Sequence, residues 1–339
     1  MRVEYKITVN QKAEALLRGG HIWVYGEEIE KTEGEPKNGD IVCVYSKKDR
    51  FLGAGFYNAG SKIAVRVLTS NGNDEINDAF FARRVKYAVD LRRTVMGPDF
   101  TNTRLIFGDA DGLPGLIVDK FGSVLVTQIM TLGMEMRKDA VFTALVDHLR
   151  ALGEPVTTLY ERNDVHVRAK EGLPLGKGYY PAPGLKNDEK TVLITENGIT
   201  YNVDFINGQK TGFFLDQKYN RLAAAGVAAG RTVLDCFTHT GGFAFNCLTH
   251  GAKSVTAADI SAEAIERTKE NAALNGFQNI DFICADAFDL LDRLLAEKRK
   301  LYDYIILDPP AFTKSSKTVN AAYGGYKELN VKADRRAHV

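Results

Sequence analysis

Val233-Leu234-Asp235-Cys236-Phe237-Thr238-His239-Thr240-Gly241-Gly242 joins a short apolar strand ending at an acid, a small polar turn, and a glycine pair opening an apolar helix. The same grammar returns three times downstream. Ser254 to Asp259, Ile280 to Asp286 and Tyr304 to Asp308 are apolar runs closing on aspartate, with helix-length segments between them. One of those segments begins at Ser261, whose hydroxyl suits a helix N-cap, and stops near Gly276. Short apolar strands alternating with helices predict a doubly wound parallel sheet, because strands covered on both faces need no polar alternation. In such sheets ligands bind beyond the carboxyl ends of the strands. One aspartate there is ordinary loop chemistry. Four at corresponding strand ends mark a ligand edge.

Gly241 and Gly242 let backbone approach a ligand closely. Asp259 follows Asp235 by 24 residues, near the spacing at which a strand-end acid accepts hydrogen bonds from a ribose diol. Asp286 is placed to meet an adenine edge. The turn lacks the G-x-G-x-x-G spacing that seats a pyrophosphate on a helix N-terminus, so an NAD oxidoreductase is the weakest nucleotide reading. An adenosine ligand without phosphate fits better, and S-adenosylmethionine (SAM) is that molecule. Asp308-Pro309-Pro310-Ala311-Phe312 sharpens the reading. Two prolines remove donors and stiffen the turn, fixing carbonyls and the Asp308 carboxylate at the rim, and Phe312 offers a ring for a base to stack on. Asp308 is the candidate catalytic position and a candidate cofactor contact; Pro309, Pro310 and Phe312 are the candidate substrate contacts.

Upstream, the text changes character. Ile41–Tyr45, Phe51–Tyr57 and Ile63–Leu68 are β-runs separated by turn residues such as Gly39-Asp40 and Asn58-Ala59-Gly60. Gly53 and Gly55 inside the second run predict a close backbone approach, as in a small barrel. Residues 71–188 are mixed: a helix from Asn77 to about Val95, a strand from Val124 to Met130, a helix from about Glu135 to Leu149, and a short strand at Thr158–Glu161. The Gly/Pro-rich run 172–184 reads as a loop. Ile199, Tyr201, Val203 and Phe205 alternate with polar residues as in a half-buried hairpin strand.

The chain has 339 residues, 45% hydrophobic and 26% charged, the balance of a globular protein of two domains, or three if one is small. No apolar run approaches a bilayer span, and charges at Arg2, Glu4 and Lys6 break the apolar core a signal peptide needs. A cytoplasmic protein with no membrane association is expected. Cys43, Cys236, Cys247 and Cys284 are too scattered for a zinc site or a disulfide framework, and no metal is expected. Net charge is +1, and no third of the chain departs from neutrality by more than two charges, so any RNA contact must use local patches. The helix bearing Arg83, Arg84, Lys86, Arg92 and Arg93 is one such patch, or simply a solvated face.

Four further stretches carry a resemblance: Gly20-His-Ile-Trp-Val-Tyr25 with Gly39-Asp40 and Phe51–Asn58; Asp109-Ala-Asp-Gly-Leu-Pro-Gly-Leu-Ile-Val-Asp119; Gly208-Gln-Lys-Thr-Gly-Phe-Phe-Leu-Asp-Gln217; and Asp235–Phe243. Over nearly its whole length the chain resembles the bacterial class I SAM-dependent rRNA methyltransferases with an N-terminal PUA domain, typified by the 23S rRNA cytosine-C5 methyltransferase. The resemblance implies an α/β protein with a PUA-like RNA-binding β-barrel at 1–70, a central α+β domain at 71–188 and a Rossmann-like methyltransferase domain at 189–339. It implies SAM as cofactor and large-subunit 23S rRNA as partner. Gln209, Lys210, Thr211, Phe214 and Asp216 would flank the cofactor ahead of the sheet. Asp235, Thr238 and Gly241 would surround its methionine part, Asp259 and Ser261 the ribose, and Asp286 the adenine.

At one point the pattern departs. Cytosine C5 is a poor nucleophile, and enzymes of this kind add a cysteine thiolate to C6 first; in the family that cysteine lies on a strand beyond Asp-Pro-Pro. Here Gly325–Ala333 follows the family, Asp334–Val339 does not, and no cysteine follows Cys284. No strand is read after the one ending at Asp308, which leaves Tyr304–Leu307 as an apolar edge. The expectation is therefore a methyltransferase domain lacking its last strands, a shortened form with impaired activity. Two alternatives stand beside it: methylation of a guanine nitrogen, which needs no cysteine, and a catalytically silent RNA-binding module. The oligomeric state is open, a homodimer being one option.

Overall fold

The computed structural model describes residues 5–297, 301–313 and 318–335. It divides into two compact units, residues 1–192 with 203–213, and residues 193–202 with 214–339.

In the first unit, β1 (Lys6–Val9) leads into α1 (Gln11–Arg18), followed by β2 (Trp23–Tyr25), β3 (Ile29–Glu33), β4 (Ile41–Ser46), β5 (Phe51–Tyr57) and β6 (Ile63–Thr69). The six strands lie in the order β2-β6-β5-β4-β1-β3 around a core of Ile7, Val9, Val24, Val42, Val44 and Val65. The sheet is an open half-barrel with edges at β2 and β3, not the closed barrel expected. The close approach is where the glycines predict it: a Cβ on Gly55 would fall 1.9 Å from the Arg66 carbonyl oxygen of β6. Helix α1, capped by Asn10 accepting from the Ala13 amide, interrupts what reads as an all-β segment.

A second sheet follows, built from β7 (Asn102–Phe107), β8 (Leu116–Phe121), β9 (Val124–Ile129), β10 (Thr158–Asn163) and β11 (Gly176–Tyr179), in the order β11-β10-β9-β8-β7. It is accompanied by α2 (Asp78–Met96), α3 (Leu132–Glu135) and α4 (Lys138–Ala151). The Asn77 side chain accepts from the Phe80 amide and so starts α2. Phe80 and Phe81 of α2 and Phe142 of α4 share one apolar cluster with Phe56 and Leu68 of the first sheet, so the two sheets are cemented within one unit. β11 corrects the expectation of a loop at 172–184: it pairs antiparallel with β10, its Tyr179 ring lying 5.0 Å from Tyr160. An edge strand tolerates the poor β-propensity of Gly176 and Gly178 when an aromatic pair anchors it.

The second unit opens with the hairpin β12 (Val192–Glu196) and β13 (Ile199–Val203). Asn197 and Gly198 both take positive φ in its two-residue turn, the geometry that Asn-Gly supplies best. Helix α5 (Lys218–Ala225) precedes β14 (Thr232–Asp235), α6 (Gly242–Thr249), β15 (Ser254–Asp259), α7 (Ala262–Leu274), β16 (Ile280–Cys284), α8 (Ala287–Ala296), β17 (Tyr304–Ile306) and α9 (Val319–Asp334). The strands form one parallel sheet in the order β16-β15-β14-β17. Among the described residues β17 is the last strand and stands at the sheet's edge. Its apolar neighbours are nonetheless covered, since Leu329 and Ala333 of α9 join Leu290, Leu291, Leu294 and Tyr302 in one cluster that also receives Ile305 and Leu307. Residues 336–339, within the stretch that departs from the family, lie outside the described residues. No helix among the described residues is long and apolar enough to cross a membrane.

Candidate functional site

Because all four strands run parallel, their carboxyl ends share one edge, and along it stand Asp286, Asp259, Asp235 and Asp308 in that order. Asp235, the last residue of β14, is fully buried. Its Oδ2 accepts from the Ala244 amide at 3.2 Å, in the first turn of α6. Burial pushes its carboxyl up to about 7, because the low-dielectric interior penalises the charged form more than the Thr238 hydroxyl and the Ala244 and Phe237 amides favour it. Asp235 Oδ1 and the buried Thr238 hydroxyl face one another, the hydroxyl favouring the carboxylate, yet neither makes a hydrogen bond of full geometry among the described residues. A buried polar group is costly when poorly paired, so these two atoms keep capacity for a ligand.

Gly241 holds the turn into α6 in the left-handed region at φ +91°, and a Cβ there would meet the Phe245 ring at 2.2 Å. Asp259 at the end of β15 fixes the same turn: its Oδ2 accepts from the His239 amide and its Oδ1 from the Ser261 amide, both at 2.9 Å. The Ser261 hydroxyl is occupied as the cap of α7, accepting from Ala264 at 3.2 Å. Asp286 likewise caps α8, its Oδ1 accepting from the Phe288 amide at 2.8 Å and the Asp289 amide at 3.3 Å. Two expected ligand-binding residues are therefore also helix caps.

Asp308 is exposed and faces Gln217, whose Nε2 donates to Oδ2 at 3.2 Å and Oδ1 at 3.4 Å. Pro309 is half-buried and Pro310 exposed. The Phe312 ring packs 4.4 Å from Tyr326 of α9 and 6.0 Å from Phe288 of α8, so aromatic residues of the chain itself stand against it. Phe214 is half-buried, edge-on to His239 at 5.0 Å, and Asp216 is exposed in the short turn Leu215–Gln217. His239 was not singled out in the sequence; burial holds its imidazole down at about 4, so the ring is neutral.

Gln209, Lys210 and Thr211 belong to the first unit. Gln209 and Lys210 are exposed, Lys210 at φ +52°, whereas Thr211 is buried and donates its hydroxyl to Asp119 Oδ2 at 2.6 Å. Arg162 steadies the same segment by donating to the Phe205 and Gly208 carbonyls at 3.0 and 2.8 Å. On the basic helix α2, Arg83 pairs with Asp74, Lys86 with Asp90 and Arg92 with Asp111, while Arg84 donates to the Leu68 carbonyl and Arg93 is exposed.

Three of the four thiols are poor nucleophiles as they stand. Burial raises those of Cys43 and Cys236 and pushes that of Cys247 up to about 12. Cys284, at the end of β16, is exposed and directs its sulfur to the Ile260 carbonyl at 3.6 Å.

This donor set suits SAM: a buried acid beside a helix N-terminus, a hydroxyl facing it, and a second strand-end acid one strand away. Comparison with known proteins agrees. Residues 7–70 match a PUA-like domain and residues 185–329 an S-adenosylmethionine-dependent methyltransferase model. The ribosomal RNA large subunit methyltransferase I of Photobacterium profundum is 40% identical over 324 residues, covering 94% of this chain and 79% of that protein. The protein of the same name from Aeromonas salmonicida is 39% identical over 328 residues, covering 96% and 80%. The chain belongs to the ribosomal RNA large subunit methyltransferase I family. It is a SAM-dependent methyltransferase. Two solved structures share the fold at 23% identity, each covering 98% of this chain and 83% of its own: a Streptococcus mutans protein assigned as a SAM-dependent methyltransferase, with a TM-score of 0.79, and a protein assigned as a methyltransferase and crystallised with S-adenosylhomocysteine (SAH), with a TM-score of 0.81.

Proposed function

We propose that the second unit binds SAM along its aspartate edge and that the chain transfers the methyl group to a base of large-subunit 23S rRNA, with cytosine C5 as target. The observation that carries the cofactor's placement is the buried pair Asp235 Oδ1 and Thr238 Oγ1, neither making a hydrogen bond of full geometry, at the carboxyl end of the central strand. When bound, the cofactor supplies an electrophilic methyl on a sulfonium. Asp235 accepts from its ammonium, which offsets the burial of the carboxylate and draws it into the charged form. Asp259 accepts from the ribose hydroxyls with the lone pairs its two amide contacts leave over. Ser261 and Asp286 border the nucleoside while holding α7 and α8 in place. Gly241 keeps the turn close to the methionine part, and Phe214 and Asp216 stand in the same proposal. Gln209, Lys210 and Thr211 are carried with them on the resemblance alone, and the PUA-like segment supplies the affinity for RNA.

At the acceptor end, Asp308 with the carbonyls of the Asp-Pro-Pro turn orients the base, and Pro309, Pro310 and Phe312 bound its place. The C5 route needs a thiolate to add at C6, and the raised thiols of Cys236 and Cys247 argue against either in that role. That observation favours a second reading, transfer to a guanine nitrogen, where the acceptor's own lone pair attacks the methyl and Asp308 holds the exocyclic amine. Mass-spectrometric mapping of unmethylated 23S rRNA after incubation with the chain and SAM separates the readings. 5-Methylcytosine supports the first and a methylguanine the second. No product despite intact SAH binding supports a silent RNA-binding protein.

A further inference from the structure

Arg221 of α5 is only 4% exposed. Its Nη1 donates to Glu196 Oε1 of β12 at 2.6 Å, and both side chains are almost fully shielded from solvent. A buried ion pair adds little net stability over an apolar pair of the same volume, so stability alone is a weak account of it. What the guanidinium touches is more informative. Its Nη2 donates to the Phe214 carbonyl at 2.9 Å. Its Nε and Cζ lie against the backbone of Gly242, where an added Cβ would fall 2.6 and 3.1 Å away. Position 242 is thus glycine because the guanidinium fills the space a side chain needs. The adjoining Gly241 is blocked in the same way by Phe245.

From there the contacts reach the acids. Phe214, whose carbonyl Arg221 holds, stands edge-on against His239, and the His239 amide donates to Asp259. Gly242 begins the helix whose Ala244 amide donates to Asp235. A contiguous path therefore runs from Glu196 through Arg221 to both carboxylates, by way of Phe214 in one direction and the glycine turn in the other.

We propose that Arg221, held by Glu196, is a positioning residue that braces the Gly241–Gly242 turn and Phe214 in the shape that receives the cofactor. The inference rests on the reading that the aspartate edge binds SAM. A planar fork suits the task, since it donates in two directions from one fixed plane while its face stays flat enough for backbone to lie against. Lysine would reach Glu196 but could not hold the Phe214 carbonyl at the same time.

A double-mutant cycle read as SAH affinity tests this in the full chain, by calorimetry below the melting temperature of every variant. Arg221→Met and Gly242→Ala each weaken SAH binding about tenfold, because one removes the brace and the other pushes it away. Combined, they cost little more than either alone, because methionine leaves room for the new methyl group. Arg221→Lys recovers part of the affinity lost in Arg221→Met. If Arg221→Met does not fold, Glu196→Gln takes its place; it keeps a hydrogen bond, removes the anchoring charge, and weakens SAH binding in the same direction. Full SAH affinity in a folded Arg221→Met or Glu196→Gln variant, or losses that simply multiply in the double variant, would overturn the inference. Asp259→Asn is the control for the underlying reading. If it loses SAH while the Arg221 variants do not, only the bracing role falls; if it binds SAH as tightly as the parent, the cofactor reading falls and the inference with it.

Discussion

Replacing Asp235 by asparagine should stabilise the ligand-free protein while weakening its grip on the cofactor, and the stabilising effect should grow with pH. The carboxyl titrates near 7 in the folded chain against an ordinary value of 3.8. The folded state therefore binds more protons than the unfolded state between those values, and folding stability falls as pH rises through that window. About three pH units at 1.36 kcal/mol each make the ionised carboxylate worth about 4 kcal/mol of destabilisation above pH 7, and about 2 kcal/mol at pH 5. Asparagine has nearly the same shape, keeps an oxygen for the Ala244 amide and cannot ionise. Urea unfolding of both proteins across pH 5–8 cancels the titrations they share. The stability of Asp235→Asn relative to the parent should rise by about 2–3 kcal/mol from pH 5 to pH 8. SAH binding, which loses a charge-assisted hydrogen bond, should weaken about 10- to 100-fold. A stability difference that stays flat with pH, or that increasingly favours the parent in alkali, would refute the reasoning.

Gly241→Ala should cost about 2 kcal/mol or more in urea unfolding, combining left-handed strain with a Cβ driven into the Phe245 ring. Gly276→Ala, also at positive φ but with open space around it, should cost only about 1 kcal/mol. Glu171→Ala should cost about 3 kcal/mol, since it strands Asn58, Ser61 and Arg66, which all donate to this buried carboxylate. The His239 ring should stay neutral down to pH 5, because burial favours the uncharged form; imidazole NMR shifts that titrate near 6.5 would contradict its place in the structure.

The row of strand-end aspartates was legible in sequence because it is written locally. Each strand-end aspartate sits next to the apolar run it terminates, and caps such as Asn77 and Ser261 lie beside the helices they start. What stayed hidden depends on residues far apart in the chain. Nothing beside Thr211 in the chain announces Asp119, 92 residues away, which accepts from its hydroxyl. Arg83 and Arg92 of α2 read as open charges until Asp74 and Asp111 are found beside them. Phe312 reads as a free stacking ring, yet Tyr326 lies against it from a helix the motif does not announce. Closure of the first sheet turns on whether β2 and β3 meet, which no local signal encodes, and β11 is held by pairing and an aromatic contact rather than by propensity. Arg221 escaped notice for the same reason, because its value lies in Glu196 and Gly242, which are distant in sequence.

The most direct test is a crystal structure of the full chain with SAH. The account predicts the ligand's ammonium on Asp235 Oδ1 and its ribose hydroxyls within hydrogen-bonding distance of Asp259, beyond the carboxyl ends of β14 and β15. A ligand bound elsewhere, or bound there with both carboxylates turned away from it, would contradict the account.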